Sequence, residues 1–146
     1  YITAAGHSGT VSDVKLFTTE LTDVENVLTI IPNAEIWGSA IVNYSHYSQR
    51  RLGMTFGISY DSDINAAMQL IENALNNDSR VISDKGLFVG VTNLGDSSVD
   101  ITVRAWCAGD DYWGLKFDTL KFVKEQMDAT GIDIPYPTQT LINKQG

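Results

Sequence analysis

Several groups of residues in the chain are of types that could do chemistry. Gly6-His7-Ser8-Gly9 sets a serine beside a histidine between glycines, the components of a nucleophile elbow that lifts a hydroxyl on a strained strand-to-helix turn. Its second glycine comes one position early and no strand-to-helix pattern surrounds it, so the string reads as a glycine-rich turn before the first strand. Asp61, Asp63, Asp110 and Asp111 could give oxygens to a hard cation. Both pairs precede helical patterns, where carboxylates satisfy free backbone N–H groups and the helix dipole, and capping is the simpler reading. His7 and His46 are the only histidines, and neither has a metal partner at helical or hairpin spacing. Cys107 falls on an apolar strand face with Ile101 and Val103, the place of a small buried hydrophobe rather than a nucleophile. Arg50 and Arg51, just after Tyr44, His46 and Tyr47, form a short basic and aromatic cluster of the kind that binds nucleic acid. We read them instead as an ion-pair surface at a domain junction. No phosphate loop or dinucleotide fingerprint is present. The residues therefore assign no catalytic group, no cofactor and no metal.

Composition narrows the remaining classes. The 146 residues allow one ordinary domain or two small ones, and 43% hydrophobic content predicts a packed core. Ten Lys and Arg against 18 Asp and Glu leave a net charge of -8, which opposes nucleic-acid phosphates and anionic bilayers as primary partners. One cysteine excludes an internal disulfide and a multi-cysteine zinc site. No run approaches the about 20 apolar residues of a membrane helix. The sequence opens at Tyr1 rather than at methionine, which leaves upstream targeting or membrane segments open.

The positioning elements follow from periodicity. Residues 10–45 are β-formers broken by turns, with Val14 and Leu16 alternating against Lys15, and a second run at residues 27–31. Residues 23–26 form the intervening hairpin loop, with Asn26 best able to accept positive φ, and Pro32 ends the second strand. No helical period precedes residue 60. Met54, Phe56, Ile58 and Tyr60 alternate as a strand, and Asp61-Ser62-Asp63 then caps a helix carrying Ile64, Ala67, Met68, Ile71 and Leu75. Leu87, Val89 and Val91, a turn at Gly95-Asp96-Ser97, and Ile101, Val103, Ala105 and Cys107 predict an antiparallel hairpin. A second helix starts after Asp110 and Asp111, with Trp113, Phe117, Leu120, Val123 and Met127 as its apolar stripe and Gly131 as its stop. Residues 132–142 are extended; Pro135 and Pro137 bar the first half from a central strand, while residues 138–142 are a candidate strand. The order predicts an α+β chain: a small all-β module, then a ferredoxin-like β-α-β-β-α module.

Seven strings in register extend this reading: Gly9-Thr10-Val11, Thr18-Thr19, Ile31-Pro32-Asn33, Ile41-Val42-Asn43-Tyr44-Ser45, Arg50-Arg51, Tyr60-Asp61-Ser62-Asp63 and Gly131-Ile132-Asp133-Ile134-Pro135-Tyr136-Pro137. In order and spacing they resemble the mechanosensitive channel of small conductance (MscS) family over nearly the whole chain. The resemblance implies the cytosolic part of a multi-pass cell-membrane channel. It implies a small Sm-like β domain at residues 1–48, a ferredoxin-like α/β domain at 49–137, and a C-terminal strand at 138–146 truncated from a barrel. It further implies a homo-oligomer, sevenfold in the family, with ions as permeants, membrane attachment through upstream helices outside this sequence, and no nucleic-acid partner. Matching strings nominate Pro32 and Asn33 for the β-domain frame and Pro135, Tyr136, Pro137 and Leu141 for packing between subunits. Glu25-Asn26 stands where the family often has Asp-Gly, and Ala34 where it often has glycine.

Two other classes compete. Sm-like and ferredoxin-like folds also host RNA-binding proteins, and the aspartates would serve a metal-dependent enzyme.

Overall fold

A computed structural model describes residues 1–142, which fall into two compact units, Tyr1–Ser48 and the chain from Gln49 onward. The first unit is an antiparallel sheet of β1 (Ile2–Ala4), β2 (His7–Val14), β3 (Thr18–Thr22), β4 (Leu28–Pro32) and β5 (Val42–Asn43), in the order β4-β3-β2-β1-β5. A five-residue helix, α1 (Asn33–Trp37), follows β4. Ala5 and Gly6 join β1 to β2 with φ values of 50° and 78°, the two positive angles that a tight hairpin turn of the strand-matching hand requires. Asn26 has φ 64° in the β3–β4 loop, where Asp23 Oδ1 accepts from the amides of Glu25 and Val27 at 2.9 Å each. Gly9 is fixed by contact: a Cβ there would lie 2.9 Å from the carbonyl oxygen of Thr22.

The expected helix-free stretch before residue 60 is corrected by α1, whose five residues are too few to print a period. Pro32 supplies its N-cap with φ -57°, an angle its ring already imposes. Val14 and Leu16 do not continue a half-buried strand. β2 stops at Val14, and both side chains are exposed on the turn into β3. β1 and β5, of three and two residues, are too short for alternation to reveal.

The second unit contains β6 (Gln49–Ile58), α2 (Ile64–Asn76), β7 (Phe88–Leu94), β8 (Val99–Ala108) and α3 (Tyr112–Thr130), with 3-10 turns at Ser83–Lys85 and Gly109–Asp111. Its antiparallel sheet has the order β6-β8-β7, with Leu52 opposite Ala105 and Phe56 opposite Ile101. Leu52, Met54, Phe56 and Ile58 of β6 and Ile101, Val103, Ala105 and Cys107 of β8 face one side and are buried with the inner faces of both helices. That is the ferredoxin-like order without a fourth strand. Residues 138–142 lie in no strand, following Pro135 and Pro137, which lack backbone donors; residues 143–146 of the expected C-terminal strand lie outside the described residues.

The helix termini divide the predicted caps. Asp63 accepts from the Ala66 amide at 3.0 Å and caps α2. Asp111 occupies the N-cap of α3 with no side-chain cap bond, and both Asp110 and Asp111 belong to the preceding 3-10 turn, so they act on α3 through charge alone. Gly131 ends α3 with φ 74°.

The stripe on α3 also differs. The buried row is Leu115, Thr119, Val123 and Met127, while Trp113, Phe117 and Leu120 are 55%, 60% and 40% exposed. Two apolar rows share Val123 and Met127 and diverge in the first turns, where Tyr112 packs on the core and turns Leu115 inward. Leu115→Ala should therefore cost about 2–5 kcal/mol in urea unfolding of the dilute chain, by leaving a core cavity, whereas Phe117→Ala should stay within about 0.5 kcal/mol. Equal costs would restore the other row.

Candidate functional site

The residues first considered for catalysis do not converge. Ser8 lies in β2, its hydroxyl hydrogen-bonded to that of Thr3 at 2.7 Å, and Gly6 is a hairpin residue rather than part of an elbow. Cys107 is fully buried, and burial pushes its thiol pKa up, away from the reactive thiolate. Among the described residues no three His, Cys, Asp or Glu side chains are placed to hold a metal. A groove of about 660 Å³ between α2 and α3 is lined by Leu70, Phe122 and Ile132 with the amides of Gln69, Asn73, Asn77 and Gln126 among them, and Asp78 and Asp118 also stand in its wall. Both carboxylates are held by Arg80, at 2.8 Å to Asp78 and 2.9 Å to Asp118. The groove thus has no free acid and base pair.

Arg50 stacks on the Tyr112 ring, 3.8 Å from its centroid. Arg51 makes no ion pair among the described residues, which corrects the expected ion-pair surface at that position. Its side chain belongs to the sheet face that the helices leave open, a feature the sequence reading missed although Arg51-x-Gly53-x-Thr55 alternates there.

Polar geometry in the β unit concentrates on Asn33. Its side-chain oxygen accepts from the Thr19 hydroxyl at 2.7 Å, and its amide nitrogen donates to the carbonyls of Lys15 and Leu16 at 3.0 and 3.2 Å. Its backbone N–H donates to Phe17 at 2.8 Å. Four bonds from one residue pin the β2–β3 turn, whose Leu16 and Phe17 side chains are 84% and 77% exposed. The preceding Pro32 closes β4, one of two sheet edges that pair with nothing in this unit; β5 is the other. Leu28 and Ile30 project from the β4 edge, also exposed.

The remaining nominated residues lie in the second unit. Pro135 is half-buried, Pro137 exposed, and Tyr136 and Leu141 are 88% and 86% exposed. The tail is tied down by the Thr138 amide donating to Ser97 Oγ at 3.1 Å and, earlier, by the Ser59 amide donating to the Asp133 carbonyl at 2.8 Å. Tyr136 thus stands exposed between two held positions, Asp133 and Thr138, and Leu141 lies exposed three residues beyond the second.

The fold is thus a five-stranded β unit followed by a β-α-β-β-α unit, both with large apolar side chains at the surface. The family described as "Mechanosensitive ion channel, beta-domain" matches residues 1–46, and that described as "Mechanosensitive ion channel MscS, C-terminal" matches residues 52–134. The chain is 33% identical over 132 residues, 90% of its length, to the small-conductance mechanosensitive channel of Edwardsiella ictaluri, of which it covers 46%. An MscS family protein of Buchnera aphidicola subsp. Baizongia pistaciae is 34% identical over 137 residues, 94% of this chain and 49% of that one. The crystal structure of Helicobacter pylori MscS in its closed state superposes with a TM-score of 0.91 at 26% identity, over 99% of this chain and 58% of that one. The chain belongs to the MscS family, and it spans about half the length of these relatives. The family is one of mechanosensitive channels rather than of known enzymes. Nothing in these matches favours the RNA-binding alternative. No described helix is long and apolar enough to cross a membrane.

Two outcomes follow from the polar geometry. Asn33→Ala should lower stability by about 1–3 kcal/mol, because two carbonyls and a hydroxyl lose their partner, and should speed amide exchange in the β2–β3 turn; unchanged exchange there would remove the clamp. The Arg80 guanidinium beside Asp78 holds that carboxyl below the ordinary value of about 3.9. A lowered folded pKa stabilises the fold above the unfolded value and is lost as pH falls through the folded one, so Arg80→Ala should flatten the acid limb of a stability-versus-pH curve below about pH 4.

Proposed function

We infer that this chain is the cytosolic vestibule and assembly region of a membrane-tension-gated ion channel, on the cytoplasmic side of a cell membrane, with the pore helices outside this sequence. The observation that carries this is the fit of two channel-domain families, in order and nearly end to end, onto the two compact units. In this reading the chain makes no bonds. It surrounds the path by which ions reach the pore, and tension acts on the upstream helices.

Self-assembly, sevenfold in the complete channel, fits the physics of the β unit. Strands β4 and β5 expose unpaired edges, and joining the β4 edge of one copy to the β5 edge of the next around a closed ring removes both while keeping every copy equivalent. Pro32 and Asn33 then serve as the frame that fixes the β4 edge and the neighbouring turn. Pro135, Tyr136, Pro137 and Leu141 serve as packing between copies near the tail.

Reconstituted in liposomes, the complete parent protein should pass ionic current when suction is applied to the patch and none at rest; a parent that never conducts under tension up to membrane rupture would overturn the channel reading. Light scattering of the chain alone should give a mass that is a multiple of 16.0 kDa, whereas a monomer at high concentration would reject assembly without the membrane helices.

A further inference from the structure

The acidic charge of the chain is unevenly placed. The β unit, Tyr1–Ser48, carries five carboxylates, Asp13, Glu20, Asp23, Glu25 and Glu35, against one cation, Lys15, and so holds four net negative charges. The rest of the chain spreads the same net charge over twice the length, with 13 acids against nine cations. Lys15 is itself taken up inside the unit: its ammonium bonds the Glu20 carboxylate and lies 3.9 Å from Asp13. Asp23, Glu25 and Glu35 make no ion pair among the described residues. Asp23 has a task in the fold, since it holds the β3–β4 loop through two amides. The Glu25 and Glu35 side chains are exposed and make no hydrogen bond among the described residues. Carboxylates kept free of cations at the surface leave their field to act on the solution.

The place of the unit gives that field its target. β1 begins at Ile2, and the Tyr1 carbonyl accepts from the Tyr44 amide at 3.0 Å, so the chain is part of the sheet fold from its first residue. In the channel reading the pore helices join the chain there, and the β unit is the first folded part beneath them. Copies closed into a ring repeat the same charge around one aqueous path, where low-dielectric walls focus the field and raise the local concentration of counter-ions. The unit has no spare cation to offset it.

We propose that the β unit selects the permeant ion by sign: its carboxylates draw cations to the pore mouth and hold back anions, and Glu25 and Glu35 set the strength of that preference. This rests on the channel and assembly readings above and adds which ions the vestibule favours. Among the described residues no three His, Cys, Asp or Glu side chains are placed to hold a metal, so the charge acts as a field rather than through a bound ion. Such a field reaches about one screening length, roughly 10 Å at 0.1 M salt, and weakens as salt rises. Glu25 and Glu35 are the residues to vary, because their carboxylates support no contact that the fold needs.

The test uses the complete parent protein in liposome patches, with a KCl gradient across the patch and suction to open it. Wild-type current should reverse on the cation side of zero. Glu25→Gln with Glu35→Gln should shift the reversal potential toward zero. Glu25→Lys with Glu35→Lys, which brings the net charge of the unit to zero, should shift it further. Raising salt on both sides at a constant ratio should shrink the difference between wild type and variants, a response that a change of shape would not give. Current that opens under tension but reverses at zero or on the anion side would overturn the proposal and leave the channel reading standing. Variants that open and keep the wild-type reversal potential at low salt would do the same. A parent that never conducts would defeat the channel reading and this proposal with it.

Discussion

The constraint on which the rest depends is that the 48-residue β unit cannot cover its own apolar surface. A five-stranded sheet with strands as short as two and three residues has two faces and two edges, yet only Ala4, Leu21 and Ile31 are its buried apolar side chains. Leu16, Phe17, Val24 and Trp37 are each more than three-quarters exposed. Burial of a large apolar side chain is worth about 1.5–3 kcal/mol, so a unit that leaves so many in water forgoes much of the driving force a small domain needs. The deficit is removed when another surface covers them. Asn33 fits this account, because it fixes the turn that carries Leu16 and Phe17 with four hydrogen bonds and so lowers the ordering cost of docking.

The second unit is built differently. Its sheet buries one complete face under α2 and α3, with β8 as the central strand, and its core residues from Leu52 to Ile132 form one cluster. This unit has the means to fold on its own core. The groove between its helices is lined mainly by apolar side chains with four amides among them, and Arg80 pairs with the two carboxylates in its wall, so it gathers no free acid and base.

Local rules were legible in the sequence where one residue decides the backbone. Asn26 adopts the left-handed conformation, Asp63 caps α2, Gly131 ends α3, and the alternation of Met54, Phe56 and Ile58 and of Ile101, Val103 and Cys107 identifies the buried sheet face. The stripe of α3 was misread because Val123 and Met127 belong to two rows at once, and only packing of Tyr112 and Leu115 selects between them. α1, β1 and β5 are shorter than the periods used to find them. The open face of the second sheet did leave a trace, with Arg51, Arg104 and Trp106 at alternate positions, but its meaning depends on which strands become neighbours. Surfaces that await another chain are the least legible, since their stabilising contacts lie outside the sequence that encodes them.

The central claim is that a second copy covers the apolar surface of the β unit. Hydrogen exchange of the β4 and β5 amides, followed by mass spectrometry as the chain is concentrated from dilute solution, addresses it most directly. The account predicts that both edge strands become protected in step with the rise in mass. Edge amides that exchange at the dilute rate in a fully assembled sample would contradict it.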